Sequence, residues 1–222
     1  MKLCFAIQAR FSSRRLPGKV LMKVGKFSLI EFLIRRLKKT KMINDMYVLT
    51  STNLLDKKII DHCERKSINS FSGSLDNVFT RFRNFLRKFK YDAFVRISAD
   101  SPFIDPDLVD QMVKKFFQGN YEIVTNVFPR TFPSGQSVEI VSSKTFMGIN
   151  QEKLSNYDKE HVTSFFYKHA ENFRIYNFKC NYSHKGIKLS IDTHEDLKRV
   201  EKIINNDLKN PEDYLIQDLI QG

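Results

Sequence analysis

The stretch LCFAIQARFSSRRLPGK, Leu3 to Lys19, sets Arg10, Arg14, Arg15 and Lys19 in a turn that follows a short apolar run directly. In an α/β sheet the turn at a strand's carboxyl end borders the ligand crevice. Backbone amides and fixed cations in such a turn can surround an anion. Arg10 and Arg15 offer planar forks to phosphate oxygens, and Lys19 offers a point charge. Pro17 fixes the backbone ahead of Gly18, whose missing side chain permits close approach to a ligand. The loop is therefore expected to bind a polyphosphate. It is not a P-loop, because GxxxxGK[ST] occurs nowhere in the chain.

Two carboxylates stand in a related position. Asp100 comes just after FVRIS, and Asp192 just after IKLSI. Carboxylates at equivalent strand ends can converge on one divalent cation, for which hard oxygen ligands are suited. Each also has a structural reading: Asp192 as the N-cap of THEDLKRV, Asp100 as part of the turn into PFIDP. Arg96, on a strand beside that turn, either faces the crevice or pairs with an acidic neighbour. Gly73, Ser74 and Asp76, in FSGSLDNV, read as a β-to-α turn.

The elements that must position these residues are legible as alternating short apolar runs and helical patterns, which implies α/β with a largely parallel sheet. Strands are expected at Leu3–Gln8, Met46–Thr50, Ala93–Ser98, Glu122–Thr125, Ser137–Val141, Phe173–Phe178 and Ile187–Ile191. Ser137–Val141 and Phe173–Phe178 are less apolar and are expected outside the central parallel sheet. Ser28 with Glu31 forms a capping box for a helix whose apolar face holds Ile30, Leu33 and Leu37. Asp105 and Pro106 open another over Asp107–Gln118, and Asp192 or Thr193 caps a last one. In LDNVFTRFRNFLRKF, Leu75, Val78, Phe79, Phe82, Phe85, Leu86 and Phe89 fall within about a 120° arc, with the basic residues on the solvated side.

Composition narrows the class. With 222 residues, 41% hydrophobic and 28% charged, the chain suits one sizeable globular core. No apolar run reaches bilayer length, and the N-terminal one is too short for a signal peptide, so a cytoplasmic protein is expected. The three cysteines, Cys4, Cys63 and Cys180, form no CxxC pair and are read as reduced thiols. The net charge of +12 raises a nucleic-acid-binding domain as an alternative, although the basic residues are scattered from end to end.

QARFSSRRLPGKVL resembles the signature loop of the sugar-acid cytidylyltransferases, the group of CMP-KDO and CMP-acylneuraminate synthetases and their spore-coat SpsF-type relatives. SGSLDNVFTRF, VRISADSPFIDPDLVD, TFPSGQSVEI, DKEHVTSFF and LSIDTHEDLKRV follow in the family's order and span nearly the whole chain. The resemblance implies a Rossmann-like nucleotide-diphospho-sugar transferase fold in one domain, residues 1–222. It implies transfer of CMP from CTP to an acidic sugar or related hydroxy acid, with release of pyrophosphate, in surface glycan biosynthesis. Mg²⁺ would be held by Asp100 and Asp192. Ala9, Arg10, Arg15, Gly18, Lys19, Gly73, Ser74 and Asp76 would line the nucleotide site, with Arg15, Lys19 and Asp100 catalytic. Arg96, Gly135, Glu139 and His161 would face the acceptor. Ser134 and Ser137 stand where close relatives carry acidic residues. The segment from Val127 to Cys180 would bind the acceptor and form a homodimer. A glycosyltransferase-like protein, or a nucleotidyltransferase using another nucleotide, is the alternative on the same fold.

Overall fold

The computed structural model describes residues 1–182, 184, 186–207 and 209–216. Its strands arise where the sequence is apolar on both faces or alternates against a covered face. They are β1 (Leu3–Gln8), β2 (Lys23–Val24), β3 (Phe27–Ser28), β4 (Asp45–Ser51), β5 (Ser70–Gly73), β6 (Ala93–Ser98), β7 (Ile123–Thr125), β8 (Glu139–Ser142) and β9 (Ile175–Asn177). β2 and β3 form a separate hairpin. The other seven make one sheet in the order β5-β4-β1-β6-β8-β7-β9. Only β8 runs against the rest, antiparallel to both β6 and β7. β1 pairs in parallel with β4 and β6, so the carboxyl ends of these strands share one edge.

Helices cover both faces. α1 (Leu29–Leu37), α2 (Lys57–Arg65) and α4 (Pro106–Gln118) pack Leu33, Ile59 and Met112 against Phe5, Ile7 and Val95. On the opposite face α3 (Val78–Phe89), α5 (Ser143–Met147) and α7 (Ser164–Lys168) bring Phe82, Phe146 and Phe166 onto Cys4, Ala6 and Phe94. The alternation of Phe5 and Ile7 with Cys4 and Ala6 is the period-two pattern of a strand buried on both sides. α6 (Asn156–Glu160) lies between α5 and α7 in the chain, and α8 (His194–Asp207) ends the helical set. A third cluster, with Leu16, Phe103, Ile191 and Val200, ties the loop after β1 to α8.

The Ser28–Glu31 capping box forms in full, and the Asp105 side chain accepts from the Asp107 amide with Pro106 at the first helical position. Ser137–Val141 and Phe173–Phe178 belong to the same seven-stranded sheet, as β8 and β9, although both lie beyond its central parallel strands β5, β4, β1 and β6, and residues 127–180 thus contribute two strands to it. Several expectations are corrected. Ile187–Ile191 is not a strand of the sheet. It is an extended segment with a single bridge, Ser134 to Lys188, because its Leu189 and Ile191 amides donate to the Ser134 and Asp100 carbonyls. Leu75 precedes α3, which Asn77 caps. Arg81 is not on a solvated face. It is 2% exposed and donates to the carbonyls of Ser74 and Leu49, which offer the partners a buried guanidinium needs.

Candidate active site

The carboxyl ends of β1 and β6 and the extended segment before α8 meet at one edge of the sheet. Their register is locked where Ala9 donates to the Leu49 carbonyl, Ala99 to that of Gln8, and Ile191 to that of Asp100. A cavity opens there, walled by the loop after β1 through Arg10, Ser13, Arg14, Arg15 and Lys19. Gln8, Ala9, Ser98, Asp100, Glu160, His161 and Asp192 close it.

Gly18 holds a left-handed backbone, φ +73°, as the loop turns into the 3₁₀ segment Lys19–Leu21. A Cβ there would lie 2.9 Å from the Phe11 ring, so glycine is required by packing within the loop. That turn buries Lys19 to 8% side-chain exposure. Its ammonium donates to Asp100 Oδ2 at 2.7 Å, to the Ile191 carbonyl at 2.7 Å and to Asp192 Oδ1 at 3.0 Å. Asp192 is free to take part because Thr193, not Asp192, caps α8: the Asp196 amide donates to Thr193 Oγ1. Arg15 adds a contact of 3.0 Å to Asp192 Oδ1. Burial would raise the Asp192 carboxyl, but the Lys19 hydrogen bond, its charge, and Arg15 and Lys188 hold it below the ordinary carboxylate range.

Two carboxylates from distant parts of the chain thus already share one cation, the Lys19 ammonium. Among the described residues no group of three or more His, Cys, Asp or Glu side chains is gathered as a metal cage. A pair suffices for Mg²⁺, which keeps several waters and takes one or two carboxylates together with substrate phosphates. Asp100 and Asp192 fit that donor set. At the rim Arg10 pairs with Glu160 at 3.2 Å, both about half exposed. Such a pair is worth little and exchanges readily for a phosphate partner.

A second cavity adjoins the first, sharing Ser98 and His161 with it. Arg96, Arg130, Tyr157, Thr163 and Tyr167 are on its walls. Its floor is Glu139, a carboxylate buried at the β6–β8 pairing, which the Arg96 guanidinium, the Thr163 hydroxyl (2.6 Å) and the Tyr167 hydroxyl (2.6 Å) all reach. Burial would raise Glu139, yet Arg96 and these donors keep it low, so it stays ionised. Arg130 is exposed, and among the described residues its guanidinium donates only to Ser137 Oγ, at 2.8 Å.

The expected residues therefore divide. Ala9, Arg10, Arg15, Lys19, Asp100, Asp192 and His161 line the first cavity, and Arg96, Glu139 and His161 the second. Gly73, Ser74 and Asp76 line neither. They lie at the carboxyl end of β5, where a Gly73 Cβ would meet Arg81 Cγ at 2.8 Å, and Ser74 Oγ accepts from the Asn77 amide. Gly135 lines neither cavity: at φ +97° a Cβ would sit 2.4 Å from the Leu189 carbonyl carbon. Gln8, Arg14, Ser98, Glu160 and Arg130 line the cavities without having been singled out as site residues. The signal for Gln8 was available, as the one polar residue ending an apolar strand at its carboxyl end.

A family described as cytidylyltransferase matches residues 4–220. The chain is 31% identical over 223 residues to uncharacterized protein MJ1063 of Methanocaldococcus jannaschii, covering 97% of this chain and 90% of that one. It is 29% identical over 219 residues to the spore coat polysaccharide biosynthesis protein SpsF of Bacillus subtilis, covering 95% and 89%. Among solved structures, a cytidylyltransferase from Leptospira borgpetersenii superposes with a TM-score of 0.93 at 30% identity, over 100% of this chain and 93% of that one. A CMP:2-keto-3-deoxy-manno-octonic acid synthetase complexed with CTP superposes at 0.72 and 13% identity, over 93% and 100%. The latter likeness is one of fold, the Rossmann-like sheet flanked by helices.

Proposed function

Because this chain belongs to the cytidylyltransferase family, and so is a nucleotidyltransferase that uses CTP, we propose that it transfers CMP to a hydroxyl of an acidic sugar or related hydroxy acid. Pyrophosphate is the second product, and the CMP-activated acid serves surface glycan assembly. The observation that carries this reading is the convergence of the arginine-rich loop with Asp100 and Asp192 in one cavity, next to a second that presents Arg130.

Arg14 and Arg15, both exposed on the loop, grip the β- and γ-phosphates, and Arg10 leaves Glu160 to join them. Asp100 and Asp192 would hold Mg²⁺, which would neutralise charge on the phosphate oxygens. Lys19, whose three donors go to Asp100, Asp192 and the Ile191 carbonyl, acts on the triphosphate through its charge. The acceptor occupies the second cavity, where Arg130, with no carboxylate partner among the described residues, takes its carboxylate. His161, common to both cavities, orients the acceptor hydroxyl. Holding two reactants in adjoining cavities supplies the proximity on which such a transfer depends.

Pyrophosphate release is measured from CTP, UTP, GTP and ATP with Mg²⁺ and a panel of acidic sugars and hydroxy acids. Release with CTP and an acidic acceptor, abolished by EDTA, is the expected result. Equal release with the neutral counterparts of those acceptors would contradict the acidic assignment.

A further inference from the structure

Gln8 has a side chain whose hydrogen bonding is half used. It is the last residue of β1, and the sheet register sets it opposite Ser98, with Arg96 opposite Ala6 and Glu139 opposite Arg96. Paired residues share a face, so Gln8, Arg96, Ser98 and Glu139 project on the same side at the strand ends. Arg96 donates to Gln8 Oε1 twice, from Nε at 3.1 Å and from Nη2 at 2.9 Å. A guanidinium carries donors only, so the amide oxygen must turn toward it and the amide NH₂ away. Among the described residues Gln8 Nε2 has no acceptor, and Gln8 lines the first cavity while Arg96 lines the second. The guanidinium is itself fixed from below by Glu139, which Thr163 and Tyr167 hold in turn. An oriented donor without an acceptor therefore stands at the seam between the two cavities.

We infer that Gln8 is a catalytic residue whose Nε2 donates to a non-bridging oxygen of the phosphate under attack, and that Arg96 is its positioning residue. This rests on the reaction proposed above. In that reaction the acceptor hydroxyl oxygen forms a bond to the α-phosphorus. The bond from that phosphorus to the oxygen bridging to the β-phosphate breaks, its electron pair leaves with pyrophosphate, and the hydroxyl proton passes to water. With the nucleotide on one side and the acceptor on the other, the α-phosphate must sit at the seam, where Gln8, beside Ser98 and His161, is the uncharged donor whose direction Arg96 fixes. A donor fixed before reaction stabilises developing charge without reorganising, and removal of one such donor costs about 10²–10³ in kcat.

The test compares steady-state kinetics of the whole protein and its Gln8→Ala, Gln8→Glu and Arg96→Lys variants. CTP-dependent shifts in thermal midpoint serve as a check that the nucleotide still binds. Wild-type turnover is measured first. Its absence sinks the reaction assigned to the site, and the role of Gln8 with it. Given turnover, Gln8→Ala is expected to lower kcat about 10²-fold while the KM for CTP changes by less than about threefold. Gln8→Glu keeps an acceptor for Arg96 but removes the donor, and is expected to be as slow. Arg96→Lys keeps a charge for buried Glu139 but loses the fork. It is expected to lower kcat about tenfold with the acceptor KM unchanged. Wild-type kcat in Gln8→Ala or Gln8→Glu would overturn the role of Gln8 alone. A raised acceptor KM at unchanged kcat in Arg96→Lys would make Arg96 a direct acceptor contact instead.

Discussion

The Lys19 ammonium has three donors, and two carboxylates and a carbonyl take all of them. Lys19→Met leaves Asp100 and Asp192 side by side without that cation. Titration calorimetry with CTP and with CMP is expected to show CTP affinity reduced about tenfold or more and CMP affinity nearly unchanged, since in the proposed pose the lysine's charge acts on the β- and γ-phosphates that CMP lacks. Equal losses for both would show that Lys19 acts on the fold alone. Asp100→Asn removes a charge but little volume. It is expected to abolish turnover while the thermal midpoint stays within a few degrees of wild type, and near-normal Mg²⁺-dependent turnover would refute the metal assignment. These residues were legible because each follows an apolar run or sits in a loop dense with cations. Gln8 left a signal, as the polar end of an apolar strand, but Arg130 left none, and the role of either depends on which neighbours leave it without a partner.

At the scale of elements, helix starts were the most legible feature, since capping is written within four residues. In α1 the Glu31 carboxyl closes the capping box, and Lys66 lies 2.8 Å away. Burial would raise Glu31, but hydrogen bonds from Lys66 and Ser28 outweigh it and bring the carboxyl down to about 2. Its folded value lies below its unfolded one. The stability it adds is therefore complete above the ordinary glutamate range and is lost as pH falls toward 2. Urea midpoints recorded across that range are expected to fall less steeply for Glu31→Gln than for wild type. Arg36, also on α1, is 1% exposed and donates to the Ile104, Pro211 and Tyr214 carbonyls, which docks the segment after α8. Burial lowers its guanidinium to about 10, still well above neutrality. Arg36→Met should cost about 3 kcal/mol in urea unfolding, because the Ile104 and Pro211 carbonyls lose their donor. Helical periodicity hid Arg36 and Arg81 alike, because it assigns arginine to solvent whereas these two are buried by carbonyls brought from elsewhere in the chain.

Across the whole molecule, the alternation of apolar runs and helices was enough to read a largely parallel sheet. The reversal of β8 was not readable, because a four-residue strand gives no sign of its direction and its pairing with β6 and β7 spans distant sequence. Among the described residues no helix is long and apolar enough to cross a membrane. Part of the net charge of +12 lies in the loop after β1, whose arginines are exposed to solvent and to screening by salt. CTP affinity is expected to fall as ionic strength rises, a dependence that calorimetry at several salt concentrations would show. In the proposed reaction two adjoining cavities bring an acceptor hydroxyl to the α-phosphorus of CTP. That reaction is tested most directly by ³¹P NMR of CTP, Mg²⁺ and an acidic acceptor incubated with the protein. A new phosphodiester resonance growing in step with free pyrophosphate is expected. Formation of CDP with a phosphorylated acceptor would contradict it, because attack would then fall on the γ-phosphorus.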